Sequence, residues 1–373
     1  MRIAVVTDNL SVSRGGSECY LLSLVARLVA AGHDVHTFHN RGFDRVEGGK
    51  FYAIRPAGYP RFLREWDFCR QVDHRVRLLA PDAVLTVRPL ASATHYRLSN
   101  GVHFQCFEAE REAYDSRLRR MFYRTGSRLN PKRQLLIRAQ ENLLTRIPGP
   151  RLMVNSHLAR NQLCQAFTID PQEVTLLYSG VDLDMFRPAQ PDRRDKESLR
   201  LLFVGHHFIL KGLHCLMAAI ASDDCAGLDL TLQVVGNGPI RHFERLAERL
   251  GISSRVKFSG SVSRTSMPDL YRSSSILVHP SFYDPCSLAT LEAMACGCPV
   301  ITTERNGASE LIVSGRSGWV IRHPRNSAAL AEAIRKTSAP GVAREMGREA
   351  ATTARERLDL HSHVQAVIKW LER

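Results

Sequence analysis

Two carboxylates, Asp284 and Glu292, stand with seven residues between them in the stretch Ser275 to Thr303. Ile276-Leu277-Val278 is a short apolar, β-branched run that predicts a buried strand. A polar loop, Pro280 to Cys286, follows it. Ser287 is a good N-cap for a helix whose Leu288, Leu291 and Ala295 share one face. Gly297 and Pro299 close that helix, and Val300-Ile301 opens the next strand. One acid in the loop before a helix and one past its first turn suit a ligand with hydroxyls at both ends and a phosphate between. The helix dipole and the N–H groups near Ser287 and Leu288 would take the phosphate. The carboxylates would accept hydrogen bonds from sugar hydroxyls. Read alone, the same residues also fit a turn aspartate and a solvated helix glutamate.

Other residues share this chemistry. Arg14-Gly15-Gly16-Ser17-Glu18 lies between strand Ile3 to Val6 and a helix reaching Ala31 with the apolar stripe Leu21, Leu24, Val25 and Leu28. Glycines before a helix let the backbone approach a phosphate closely. Gly205-His206-His207 leads to Lys211-Gly212 at another predicted helix start, where a lysine can bind a diphosphate as a point charge. His206 and His207 have no further Cys, His or acid at ligand spacing, so no metal is expected.

These elements must be positioned by a scaffold. Predicted strands 83–87, 152–154, 199–204, 228–235, 256–258 and 318–321 alternate with helical segments, among them 211–221, 240–250, 266–273 and 326–337. Strands separated by helices imply parallel sheets, and two such sets imply an α/β chain of two doubly wound domains. Residues 41–70, rich in arginine and aromatics such as Tyr59, Arg61, Phe62 and Trp66, read as irregular, and 189–198 as a surface loop.

Composition narrows the classes. The chain has 373 residues, 44% of them hydrophobic, enough for two cores. No apolar run approaches the roughly 18 residues of a membrane span. The chain enters its first strand at once, so no signal peptide is expected. The nine cysteines are scattered and are expected to be reduced, as in a cytoplasmic protein. The formal net charge is +14. Residues 1–180 carry 26 Lys and Arg against 16 Asp and Glu, residues 181–373 carry 25 against 21, and the excess therefore lies in the first half. That excess suggests a polyanionic partner there: phosphorylated substrate, anionic membrane or nucleic acid.

The acid pair and the ending AMACGCPVITT resemble the signature of the family-4 retaining glycosyltransferases, which have the GT-B fold: two Rossmann-like domains facing a cleft. The family usually has Glu where this chain has Asp284, and Arg near the place of His206. Tyr178-Ser179-Gly180-Val181-Asp182 with Phe186 and Pro188 resembles a further family segment, and Gly307 to Glu310 its Gly-x-x-Glu turn.

The resemblance implies domains 1–172 (acceptor, with a basic segment 111–138), 173–345 (nucleotide sugar) and 346–373 (terminal helices crossing back to the first). It implies catalytic roles for His103, Lys211 and Asp284. It implies donor contacts from Gly15, Gly16, Gly205, His206, Lys211, Gly236, Val262, Arg264, Asp284, Ser287, Leu288 and Glu292, with Glu292 on the ribose. The reaction implied is metal-free, retaining transfer of a hexose from a nucleoside-diphosphate sugar, UDP-sugar favoured, with no other cofactor.

Arg117 to Arg138 holds eight Lys and Arg and no acid, with Leu118, Met121, Phe122 and Leu129 among them and Tyr123 beside them. Such a pattern suits an anionic membrane surface through Arg117, Arg119, Arg120, Arg124, Arg128, Lys132 and Arg133. It is similar to the membrane-binding segment of lipopolysaccharide core glucosyltransferases. The acceptor expected is therefore lipopolysaccharide core or a related anionic glycolipid, at the cytoplasmic face of the inner membrane. Other acceptors (exopolysaccharide, lipid carrier, soluble sugar) and a sugar-nucleotide epimerase remain alternatives. No nucleic-acid motif is present, and a nucleic-acid partner is not expected.

Overall fold

The computed structural model describes residues 1–10, 16–57, 63–189 and 198–373. Gly15 of the glycine loop, Tyr59, Arg61 and Phe62, and residues 190–197 of the predicted surface loop lie outside them. The chain divides into two units, Met1–Ser179 with His361–Arg373, and Gly180–Leu360.

Unit 1 runs β1 Arg2–Leu10, α1 Gly16–Ala30, β2 Asp34–Phe43, β3 Lys50–Ala53, α2 Arg64–Leu79, β4 Ala83–Thr86, β5 His95–Arg97, α3 His103–Glu112, α4 Arg117–Leu129, α5 Pro131–Leu144, β6 Arg151–Val154, α6 His157–Phe167 and β7 Val174–Leu176. Its sheet has the order β3-β2-β1-β4-β5-β6-β7, parallel throughout. Helices cover the sheet, so its central strands are buried on both faces and read as unbroken apolar runs. Ile3, Ala4, Val5 and Val6 are fully buried, and Leu21, Leu24, Val25 and Leu28 of α1 bury the stripe seen in the sequence. Asn130 caps α5 by accepting from the Lys132 and Arg133 N–H groups, with Pro131 at the first helical position where its missing donor costs nothing. Residues 41–70 are more ordered than expected: they contribute β3 and the start of α2.

Unit 2 runs β8 Leu199–Val204, α7 Leu213–Ile220, α8 Asp223–Ala226, β9 Leu230–Val235, α9 Ile240–Arg249, β10 Val256–Gly260, α10 Met267–Ser273, β11 Ile276–His279, α11 Leu288–Ala295, β12 Val300–Thr303, β13 Gly318–Ile321, α12 Ser327–Thr337 and α13 Val342–Arg357; the last helix of the chain, α14, is Leu360–Leu371. Its parallel sheet has the order β10-β9-β8-β11-β12-β13. The strand order reverses at β8 and β11, the switch point at which open α/β sheets receive ligands.

The two terminal helices part company. The buried, mostly alanine face of α13 (Met346, Ala350, Ala351, Ala354) packs in unit 2 against α11, whereas α14 belongs to unit 1 from His361 onward. The division thus falls at Ser179 and at Leu360, later in both places than 172 and 345. Aromatic packing ties α14 down: Trp370 meets His95 edge-on, ring centroids 4.7 Å apart, and His363 Nε2 is hydrogen-bonded to the Tyr20 hydroxyl. Burial, and then Arg97, push His363 down to about 3; burial, and then Arg151, push His95 down to about 4. Both imidazoles are neutral in the fold, whereas the unfolded chain protonates them near pH 6.5. The stability they contribute is therefore intact above about pH 6.5 and lost as pH falls toward about 4 for His95 and about 3 for His363. Fluorescence of the buried Trp370 should report loosening of α14 across that window, and His363→Phe should flatten the dependence. An equally steep fall in the variant would remove His363 from the explanation.

No helix among the described residues is long and apolar enough to cross a membrane. None of the described cysteines is in a disulfide.

Candidate active site

The site in unit 2 is built at the C-terminal ends of β8, β9 and β11. The loop after β11 is clamped by backbone: Asp284 N–H donates to Arg305 O at 3.0 Å, and Gly307 N–H to Asp284 O at 2.9 Å. Lys211 Nζ reaches in from the turn before α7, 2.7 Å from Asp284 Oδ2 and 3.1 Å from Tyr283 O. His279, the last residue of β11, is fully enclosed, with Nε2 3.4 Å from the same carboxylate oxygen. Burial opposes ionisation of Asp284, but Lys211 and His279 outweigh it and hold the carboxyl well below the usual carboxylate range. Burial pushes His279 the other way, below the ordinary histidine value. The sequence thus brings two of its expected residues, Lys211 and Asp284, into one ion pair. The third member, His279, was missed: its signal is a polar residue ending a buried strand just before the loop.

Two glycines make the approach possible. Gly212 has φ of 75°, and a Cβ there would stand 2.0 Å from Pro280 O. Gly236 has φ of 126°, and its Cβ would stand 1.8 Å from Gly205 O. Only glycine fits such positions, where left-handed backbone meets a neighbouring carbonyl. His206 Nδ1 accepts the Asn237 N–H at 3.2 Å, which ties the ends of β8 and β9 together.

Glu292 is not a solvated helix residue. It is buried on α11, with Oε1 2.7 Å from Arg264 Nη1 and Oε2 accepting from the Tyr271 hydroxyl at 3.1 Å. The Arg264 guanidinium lies 5.0 Å over the Phe186 ring. The expected donor residues Glu292 and Arg264 are therefore partners of each other, with half-buried Val262 two residues before Arg264.

One expectation at the head of α11 is corrected. Ser287 caps the helix through Thr290 N–H, at 3.3 Å, but its own N–H donates to Asn306 Oδ1 at 3.1 Å and is not offered to a phosphate. Fully buried Asn306 also accepts Ala308 N–H and donates to Thr290 and Thr302, fixing the loop to the helix; Leu288 is the first helical residue.

In unit 1, His103 opens α3 and Gly16 opens α1. A cavity of about 270 Å³ is lined by Asp8, Glu18, Arg88, Arg97, Asn100 and His103, among others. The His103 N–H donates to Gln140 Oε1 at 2.9 Å, and its ring stacks on Phe107. Burial, and then Arg88, push its imidazole down to about 4, so it faces the cavity as a neutral base. Arg88 is paired with Glu65 and lies 3.6 Å from Asp8. Buried Gln140, which also donates to Tyr96 OH and Gly101 O, is the positioning residue that sequence reasoning did not find.

The basic segment forms α4 and the start of α5. No residue of α4 is buried, and Leu118, Met121, Phe122 and Leu129 are 64%, 55%, 70% and 76% exposed. Two of the expected membrane cations are engaged within the protein. Arg120 Nε donates to Tyr114 O at 2.7 Å. Arg133 pairs with Glu110 at 2.8 Å, bonds Tyr123 and Ser127, and lies 4.4 Å over the Phe107 ring. These bonds fasten α3, α4 and α5 into one layer. Arg117, Arg119, Arg124, Arg128 and Lys132 are exposed.

Comparison with known proteins agrees with this build. Residues 14–185 match the family model Glycosyltransferase Family 4, and residues 187–355 match Glycosyl transferases group 1. D-inositol 3-phosphate glycosyltransferase 2 of Catenulispora acidiphila is 35% identical over 189 residues, 46% of this chain and 44% of that one. This chain thus spans under half the length of that relative. Two solved structures share the whole fold. WaaG, a glycosyltransferase involved in lipopolysaccharide biosynthesis, has a TM-score of 0.81 at 21% identity, covering 99% of both chains. Anabaena Alr3699/HepE in complex with UDP-glucose has a TM-score of 0.76 at 19% identity, covering 100% and 99%. With one family domain matched in each half and this fold over its whole length, the chain belongs to the glycosyltransferases of the GT-B fold.

Proposed function

We propose that the chain moves a hexose from a UDP-sugar to a hydroxyl of a membrane-anchored anionic glycolipid, with lipopolysaccharide core the acceptor that fits best. The observation that carries the acceptor side is α4, a helix with no buried residue that exposes four large apolar side chains among arginines. In water such a face is costly; on an anionic membrane the apolar residues enter the interface and the cations meet headgroups. The enzyme would work as a peripheral protein at the cytoplasmic face. WaaG is involved in lipopolysaccharide biosynthesis and HepE holds UDP-glucose, which supports the lipopolysaccharide side and the donor side of this reading.

On the donor side, departure of the diphosphate leaves an oxocarbenium-like sugar and builds charge on phosphate oxygens. Lys211, already poised at the strand ends, meets that charge in a preorganised site. Asp284 stays ionised beside it and accepts from sugar hydroxyls. Glu292 accepts from the ribose, giving up part of its bonding to Arg264. His103, neutral, receives the acceptor proton. We assign no nucleophile and no metal: the transfer proceeds on one face with retention of configuration.

Glu292→Gln is expected to weaken donor binding by about 10- to 100-fold, since hydrogen bonds to a charged group are worth about 1.5–3 kcal/mol. Gln can still bond Tyr271, so the fold should survive. Unchanged donor affinity in a folded variant would remove Glu292 from the donor site. The reading as a whole is tested by calorimetric titration of the protein with UDP-, GDP- and ADP-hexoses. Saturable binding of the UDP-hexose is expected; binding of none would end the reading. The similarity to inositol 3-phosphate glycosyltransferases favours one second reading, a soluble phosphorylated acceptor. Transfer to such a sugar in the absence of vesicles would support it.

A further inference from the structure

Unit 1 contains a second and larger cavity, about 660 Å³, that the site above does not use. It is a groove between α2 and α5. Trp66, Arg70, His74 and Arg77 line it from α2, and Asn142 and Arg146 from α5 and the residues just past it. Trp66 and Arg77 are eleven residues apart on one helix, about 16 Å along its axis, longer than a single hexose. Pro89 lines both this groove and the His103 cavity, so the two adjoin.

Its chemistry is specific. Trp66 is 55% exposed, with the Arg70 guanidinium 5.6 Å over its ring. A flat aromatic face held open beside guanidinium and amide groups suits a sugar ring, whose C–H face stacks while its hydroxyls bond to polar neighbours. The charge is one-sided. Arg70, Arg77 and Arg146 face a single lining acid, Asp73, which accepts the Ser92 N–H at 2.8 Å. Arg146 is held by the carbonyls of Ala91, Ala93 and Pro148, which fix the guanidinium without neutralising it. Arg77 forms no ion pair among the described residues, and Arg70 pairs with buried Asp67 through Nη2 alone, at 3.3 Å. A guanidinium with open donors matches a phosphate group.

We propose that this groove is a second carbohydrate subsite, which holds a phosphorylated sugar unit of an extended acceptor while another unit of that acceptor lies against His103. Its role rests on the acceptor reading above; its existence as a binding site does not. It would select acceptors that already carry a phosphorylated sugar, so a sugar-phosphorylating reaction must act before this one.

The test is calorimetry on the full chain, with the donor site filled by UDP, using glucose 6-phosphate, glucose and inorganic phosphate as probes. Glucose 6-phosphate is expected to bind saturably, and the other two at least tenfold more weakly. Arg70→Gln with Arg77→Gln, and separately Trp66→Ala, should each weaken glucose 6-phosphate at least tenfold. All three residues are exposed, so the melting temperature should hold. No saturable binding, unchanged binding in both variants, or equal affinity for inorganic phosphate would each overturn the subsite. If the probe fails while the wild type still binds anionic vesicles and UDP-glucose, the subsite falls and the acceptor reading stands. If the probe binds and vesicles do not, the membrane side of that reading falls and the subsite stands.

Discussion

Lys211→Ala is expected to lower turnover at saturating donor by about 10²- to 10³-fold, the usual cost of removing one preorganised donor from a developing anion. Donor affinity should fall by much less. The ammonium meets a diphosphate in both ground and transition states, but its partner's charge grows only as the sugar leaves. The structure adds a second consequence. Lys211 offsets the burial that opposes ionisation of Asp284. Without it, the Asp284 carboxyl should shift upward, and residual activity should fall off at a higher pH on the acid side than in the wild type. Binding by calorimetry and turnover at saturating donor separate the two effects. Equal losses in binding and rate would mean that Lys211 only holds the donor.

Replacing Arg117, Arg119, Arg124 and Arg128 together by serine should abolish binding to anionic vesicles. Each basic residue near such a surface is worth about 1 kcal/mol, so four amount to roughly a thousandfold in partitioning. The choice of residues follows from the structure. Arg120 and Arg133 are spent on Tyr114, Glu110, Tyr123 and Phe107, and changing them would unfasten α4 rather than only discharge it. The four chosen arginines are exposed, so the fold and donor binding should survive. Cosedimentation with vesicles of graded anionic lipid content is the measurement. Wild-type protein that ignores such vesicles at low salt would leave the soluble acceptor as the better reading.

The strands were legible because both faces of each sheet are covered, which turns a strand into an apolar run. Ile3 to Val6, Ile276 to Val278 and Val300-Ile301 all sit where that rule places them. The cap at Ser287 and the glycine at 212 were legible from local chemistry. What failed had no local signal or had a competing one. In α2, Phe68, Val72 and Val76 recur every fourth residue, but they are diluted by arginines that stay at the surface, and the start of the helix, residues 64–70, read as irregular. β5 is His-Tyr-Arg, polar by composition yet buried, because Arg97 bonds Ser99 and Ser179 and stacks on Tyr20. The Glu292–Arg264–Tyr271 cluster joins α11 to residues about 20 and 30 positions earlier, a pairing that spacing does not encode. Gln140 and His279 act through tertiary contacts alone.

The measurement that bears most directly on the central claim is transfer itself. Protein, UDP-[1-¹³C]glucose and anionic vesicles carrying a lipopolysaccharide core glycolipid are incubated with a chelator, and the label is followed by NMR. Label is expected in the glycolipid with the α configuration of the donor preserved, and little release to water. Label found only as free glucose, or a β-linked product, would contradict it.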